Sequence, residues 1–149
     1  MNQGAEGMKV IPFKPEHLLA IEHRWPEIGI SPELMLTTGK YYGTGFARTG
    51  LVNGRPIVCG GMMKLWPGVG EAWVIGSDEL KQNALPFHRA ILKYREVVFA
   101  MGLHRLQCAC HVDFTDSRKW LERLGFVDEG LMKAFASDRS DYVRYALIR

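Results

Sequence analysis

His104, Cys108, Cys110 and His111 bring into one short segment the side chains that bind zinc. Structural zinc needs four ligands converging on a point, and an extended chain sends alternate side chains to opposite faces. Cys108 and Cys110 then share one face while His111 points the other way, so the two thiols read as small core hydrophobes and no metal site is expected. Together with Cys59 they make an odd set inside apolar segments, which implies reduced thiols in an intracellular protein and no disulfide. The formal charge of +3 and pI near 8.8 are mildly basic, and no Lys/Arg run has the density of a nucleic-acid tail. A small anionic ligand suits such a surface, and no nucleic-acid partner is expected.

The elements that would position any site are legible in turn signals and periodicity. With 47% apolar and 23% charged residues, the 149-residue chain has the balance of an ordinary globular protein. Met1 to Gly7 reads as a loose N-terminal tail (residues 1–7) and residues 8–149 as one domain. Neither a secretory leader nor a membrane span is present, so a soluble cytoplasmic protein is expected.

A strand is expected over Met8 to Phe13, then a helix opened by Pro15, running to about His23 and stopped by Trp25 and Pro26. Ser31-Pro32 signals the start of a second short helix that ends at Gly39. Strands over Tyr41 to Val52 and Arg55 to Leu65 flank Asn53-Gly54, the strongest short-range hairpin signal available. The turn Pro67-Gly68 leads to a strand from Glu71 to Ile75, and Gly76 to Ala84 is a loop. Phe87, Ile91, Tyr94, Val98 and Met101 recur at helical spacing up to Gly102.

His104 to His111 is a buried strand that must lie parallel to the strand from Glu71 to Ile75, because a helix crosses over between them. A short helix from Ser117 to Leu124 ends on Gly125, and Phe126 to Ala136 with Asp141 to Ile148 closes the sheet as a hairpin.

This order of elements resembles the Gcn5-related N-acetyltransferase (GNAT) superfamily. The sharper likeness lies in Ser117-Arg118-Lys119-Trp120-Leu121-Glu122-Arg123-Leu124-Gly125-Phe126, in Met101-Gly102-Leu103-His104-Arg105-Leu106 and in Phe126-Val127-Asp128-Glu129-Gly130, each similar to a family segment in the family's register. The resemblance implies an α/β GNAT fold: a mixed, mostly antiparallel seven-stranded sheet with helices on both faces and a parallel central β4/β5 pair. It also implies acetyl-CoA as cofactor and a primary amine as acceptor, either a small molecule or a protein N-terminus or lysine. A homodimer is compatible with it.

On the same resemblance, Glu71 is the candidate catalytic base, and a backbone N–H of Ile75 or Gly76 meets the thioester carbonyl. The diphosphate loop falls on Lys81, Gln82, Asn83, Ala84 and Leu85, with Phe114 and Ser117 at the second cofactor-side helix. Tyr142 and Tyr145 on the last strand read either as packing residues of the closing hairpin or as a replacement for the family's acid. The loop departs from the family pattern at Pro86, which has no N–H to donate to a phosphate. Phe114 replaces an Asn that holds the pantetheine arm, and Leu121 replaces a frequent acidic Tyr. These departures leave coenzyme A binding weak, and they allow an alternative in which the fold serves a non-catalytic phage or prophage protein, virion-associated and with a decayed cofactor site.

Overall fold

Asn53 (φ 51°) and Gly54 (φ 76°) both adopt positive φ. Two such residues in succession make the tight turn whose twist matches paired strands, which joins β2 (Phe46–Val52) to β3 (Arg55–Trp66). The computed structural model describes residues 7–21 and 31–149. The expected stop of the first helix at His23 to Pro26 lies outside the described residues. Ahead of the hairpin come β1 (Lys9–Pro12), α1 (Glu16–Ala20) and α2 (Pro32–Tyr42). After it come β4 (Val69–Gly76), a 3-10 turn (Asp78–Asn83) and α3 (Ala84–Ala100). The chain closes with β5 (Arg105–His111), α4 (Thr115–Arg123), β6 (Val127–Met132) and β7 (Tyr142–Ile148). The sheet runs β1-β2-β3-β4-β5-β7-β6, and every neighbouring pair is antiparallel except β4 with β5. This is the mixed seven-stranded α/β sheet with a parallel central pair that the sequence leads one to expect.

Several boundaries differ from expectation for identifiable reasons. Helix α2 begins as read, with Ser31 Oγ accepting the Leu34 N–H at 3.2 Å and Pro32 in the first turn. It does not stop at Gly39 but continues through Tyr41 and Tyr42, which therefore do not open β2. Gly39 is buried, and a Cβ there would lie 3.0 Å from the backbone of Pro15, so the glycine permits the close crossing of α1 and α2. Strand β6 ends at Met132 rather than Ala136, because the chain turns away through Ala134 at φ 50°. The expected loop before α3 contains the 3-10 turn. In α3 the inward stripe ends on Val98 and Phe99, while Met101 lies beyond the helix and is exposed.

Two apolar layers fix the sheet. Leu106, Cys108 and Cys110 of β5 and Val143 and Tyr145 of β7 pack under α3 and α4. Trp73 and Ile75 of β4 and Cys59 of β3 pack under α1 and α2. The three thiols are free, and burial pushes Cys59 up to about 11, Cys108 up to about 12 and Cys110 upward, so all remain protonated and unreactive at neutral pH. Under the second layer, fully buried Thr49 shares a 2.7 Å hydrogen bond with His17 Nδ1, which ties α1 to β2.

The C-terminus is clamped to α3 by charge. Arg149 Nη1 and Nη2 donate to Glu96 at 2.8 and 2.6 Å, and Arg95 Nε donates at 2.9 Å. These donors hold the Glu96 carboxyl at about 2, below its ordinary 4.5. A depressed carboxyl contributes stability that is complete above about pH 4.5 and is lost as pH falls toward about 2. Glu96→Gln should therefore lower Tm modestly at pH 7 and not at all near pH 2. Equal effects at both pH values would show that the clamp does not stabilise the fold.

Candidate functional site

Strands β4 and β5 pair only through Val69, Gly70 and Glu71 against Arg105, Leu106 and Gln107. Past that point β4 continues to Gly76, whereas β5 follows β7 as far as His111 opposite Tyr142. The two strands part, and a wedge opens toward their carboxyl ends. Val74 shows the opening directly: it sits in the middle of the sheet yet is 43% exposed, because no β5 residue flanks it. Ligands in sheets with parallel strands lie off such carboxyl ends, where the helices that follow direct their N-terminal N–H groups.

Glu71 stands at the base of the wedge on the α1/α2 face. Its Oε1 accepts from Gln107 Nε2 at 2.9 Å, and Arg144 Nη1 donates to Oε2 at 2.9 Å and Oε1 at 3.1 Å. Arg105 continues the row, donating from Nε to Gln107 Oε1 at 2.8 Å and from its Nη atoms to Glu129. Across β4, β5, β7 and β6 the two guanidiniums of Arg105 and Arg144 thus stand between the carboxylates of Glu71 and Glu129. With three donor contacts on a group that has about four acceptor sites, Glu71 keeps room for one more donor.

Beside it, Tyr42 stacks on Trp73 at 4.1 Å, and Phe13 meets Trp73 edge-on at 5.5 Å. Burial first and the Glu71 charge second push the Tyr42 hydroxyl up, so it stays protonated. Trp73 Nε1 is buried and has no hydrogen-bond partner among the described residues, a costly state for a donor unless something arrives to accept from it.

At the mouth of the wedge, the His111 ring lies between Phe114, stacked at 4.8 Å, and Tyr142, edge-on at 5.3 Å. Burial, aided by Asp138, raises Tyr142 above its ordinary range. Tyr145 is not available as an acid: it is wholly buried on the opposite face, and its Oη accepts from Arg118 Nε at 3.0 Å. Side chains alternate, so two tyrosines an odd number of residues apart face different layers.

Ile75 and Gly76 end β4 in the stretch that β5 no longer pairs. Next comes Ser77, whose buried Oγ has no partner among the described residues. Lys81 and Gln82 are exposed on the 3-10 turn, and Asn83 Nδ2 donates back to Glu79 O at 3.0 Å. Glu79 in turn forms a fork with Arg55 at 2.6 and 2.8 Å, which pins the turn to the β2/β3 hairpin. Ala84 and Leu85 open α3 and are exposed; Gly7 packs on Pro86, where an added Cβ would lie 2.7 Å from the proline ring. Phe114 caps α4 without a side-chain bond, and Ser117 lies exposed in its first turn.

The candidates from Ile75 to Leu85 thus follow the unpaired end of β4, Phe114 and Ser117 follow the end of β5, and Glu71 stands where the two strands last pair. Gln107, Arg144 and Tyr42 were not singled out from sequence. Gln107 and Arg144 were nonetheless visible as polar residues at alternate positions of otherwise apolar strands, which is how a sheet face lining a site reads.

No family model and no curated protein sequence matches the chain. Its fold matches many solved acetyltransferase structures. Ard1 from Thermoplasma volcanium superposes with a TM-score of 0.75 at 11% identity over 95% of this chain and 97% of that one. An acetyltransferase of the GNAT family from Bacillus anthracis gives 0.70 at 17% identity over 95% and 94%. A ribosomal L7/L12 alpha-N-protein acetyltransferase in complex with coenzyme A gives 0.72 at 14% identity over 95% and 94%. The chain has the GNAT fold.

Proposed function

We propose that this GNAT-fold chain is an acyl-CoA-dependent N-acetyltransferase that acetylates a primary amine. The observation that carries the reading is the parting of β4 from β5 immediately beyond Glu71 and Gln107, which leaves strand backbone unpaired beside a carboxylate. Bound acetyl-CoA supplies an activated acetyl thioester. The residues present fit that group, short of one donor: the wedge suits a pantetheine arm, Ser77 Oγ, without a partner among the described residues, offers a polar contact beside it, and exposed Lys81 carries a positive charge for the diphosphate. Pro86 contributes no N–H, and α3 follows directly on the 3-10 turn.

Glu71 takes the proton of the attacking ammonium, directly or through a water. The N–H of Gly76 donates to oxygen charge developing at the carbonyl, whereas that of Ile75 faces β3, since the bond from Ser77 N–H to Ile57 O sets alternate N–H groups toward that strand. Tyr142 holds a proton at Oη for the leaving thiolate. Trp73 Nε1 and Tyr42 face the same side as Glu71 and favour an acceptor with a polar group near its amine. Small amines and protein N-termini both meet that description. The structural neighbours named above are acetyltransferases, and the virion-associated alternative draws no support from them.

The test is thiol release from acetyl-CoA with a panel of polyamines, amino sugars and short peptides, with the acetylated amine identified by mass. Release that depends on the amine supports the reading; none with any acceptor, in a protein that also fails to bind coenzyme A, refutes it. A hydrogen bond to a charged group contributes about 1.5 to 3 kcal/mol, so Pro86→Gly should tighten coenzyme A binding by up to about tenfold to a hundredfold. Lys81→Ala should loosen it. Calorimetric affinities that move the other way would place the diphosphate elsewhere.

A further inference from the structure

Four of the five partly buried arginines among the described residues have a carboxylate partner: Arg95 with Glu96, Arg105 with Glu129, Arg118 with Asp128 and Arg144 with Glu71. Arg48 has none. Its guanidinium lies 4.2 Å above the Phe46 ring and spends one N–H on its neighbour, the Ala47 carbonyl, at 2.8 Å. A half-buried charge without a counter-charge is costly, and a free fork of donors is the side chain best matched to a planar carboxylate.

Arg48 lines a hollow of about 470 Å³ between β2, the far end of β3 and the segment that follows α3. Buried Met62 and Leu103 supply an apolar floor, Met101 and Phe46 form walls, and Lys64 adds a second cation. Among the described residues no carboxylate lines it. Opposite Arg48 on β3 stands Gly60, so no side chain there fills the space above the guanidinium's strand. The hollow shares no lining residue with the wedge, although Arg48 stands only two strands from Val74, through Gly60.

We propose that this hollow is a second binding site, separate from the acetyl-transfer wedge, for a small amphipathic carboxylate with an aliphatic or aryl body. The carboxylate pairs with Arg48 and is steered by Lys64, while the apolar body lies on Met62, Met101 and Leu103. The size is right for one compact ligand, since small-molecule sites begin at about 300 Å³. Charge complementarity and the absence of an internal partner for Arg48 set the sign of the ligand. The proposal does not rest on the catalytic reading.

Octanoate is the probe, titrated by calorimetry and followed by the methionine methyl resonances of the intact protein. Saturable one-to-one binding with Kd of about 0.1–1 mM is expected for a ligand of this size. The Met62 and Met101 methyls should shift while those of Met35 and Met63, on the other face, stay put. Arg48→Met should weaken binding by about tenfold or more, exposed Lys64→Met by a smaller factor, and the uncharged octanamide should bind the wild type about as poorly as octanoate binds Arg48→Met. Lys64→Met, at an exposed position, keeps the test valid if Arg48→Met does not fold. Absence of saturable binding, equal binding by wild type and both variants, or methyl shifts centred on Met35 and Met63 would overturn the proposal.

Discussion

Glu71→Gln should reduce the rate of acetyl transfer by about a hundredfold to ten-thousandfold, the range that a positioned general base contributes. The substitution preserves shape and keeps an oxygen for Gln107 Nε2, but it cannot accept a proton, and it leaves Arg144 facing a neutral amide where a carboxylate stood 2.9 Å away. Two consequences separate the base from a purely structural carboxylate. If Glu71 takes the proton, kcat falls far more than the affinity for the acceptor, and Arg144→Gln costs much less than Glu71→Gln. If it only holds Arg144, Arg144→Gln should mimic the loss. Unchanged transfer at pH 7 by Glu71→Gln, with a working acceptor, removes Glu71 from the mechanism.

Val74→Trp should abolish coenzyme A binding while leaving the fold intact. Val74 is exposed because β5 has already diverged, so a larger side chain there enters the wedge and not the core. Substitutions at exposed positions usually change stability within about 0.5 kcal/mol, and tryptophan is well suited to a strand. Filling the wedge should cost a ligand lying in it about 3 kcal/mol or more, roughly a hundredfold in Kd. Near-wild-type Tm with affinity lost by that factor places the cofactor between β4 and β5. Undiminished affinity would mean that coenzyme A binds outside the wedge, and the acetyltransferase reading would lose its central observation.

The wedge between β4 and β5 and the hollow beside Arg48 have different lining residues, and they differ in how their charges are managed. Around the wedge, Glu71, Arg144, Arg105 and Glu129 neutralise one another. In the hollow, Arg48 and Lys64 stand without acids. The first arrangement orients groups without drawing a strongly charged ligand, whereas the second presents a standing deficit that an anion relieves.

Local physical chemistry was sufficient for much of this protein. Asn53-Gly54 dictated the β2/β3 hairpin because positive φ at two successive residues is inexpensive for few other pairs. Ser31-Pro32 began α2, and Gly102 and Gly125 ended α3 and α4 in positive φ, each a backbone effect that reaches no further than a turn. The long crossover helix between two apolar strands dictated that β4 and β5 run parallel. Cys108 and Cys110 were legible as core residues, and Tyr142 and Tyr145 as members of the last strand, from alternation alone.

Contacts between distant segments settled the rest. Whether Gly39 stops a helix or lets one pass depends on Pro15, 24 positions earlier, lying against it. That Glu71 is held by Gln107 and by Arg144, 73 residues away in the chain, depends on β7 inserting beside β5. Tyr145 lost its place as an acid because β7 turns that side chain into the layer under α3 and α4. The point where β4 leaves β5 is recorded in no single residue, since it is set by which strand β5 prefers to follow once its first three residues have paired. Arg48 was indistinguishable in sequence from its paired counterparts; only the folded sheet, where no described carboxylate reaches it, sets it apart.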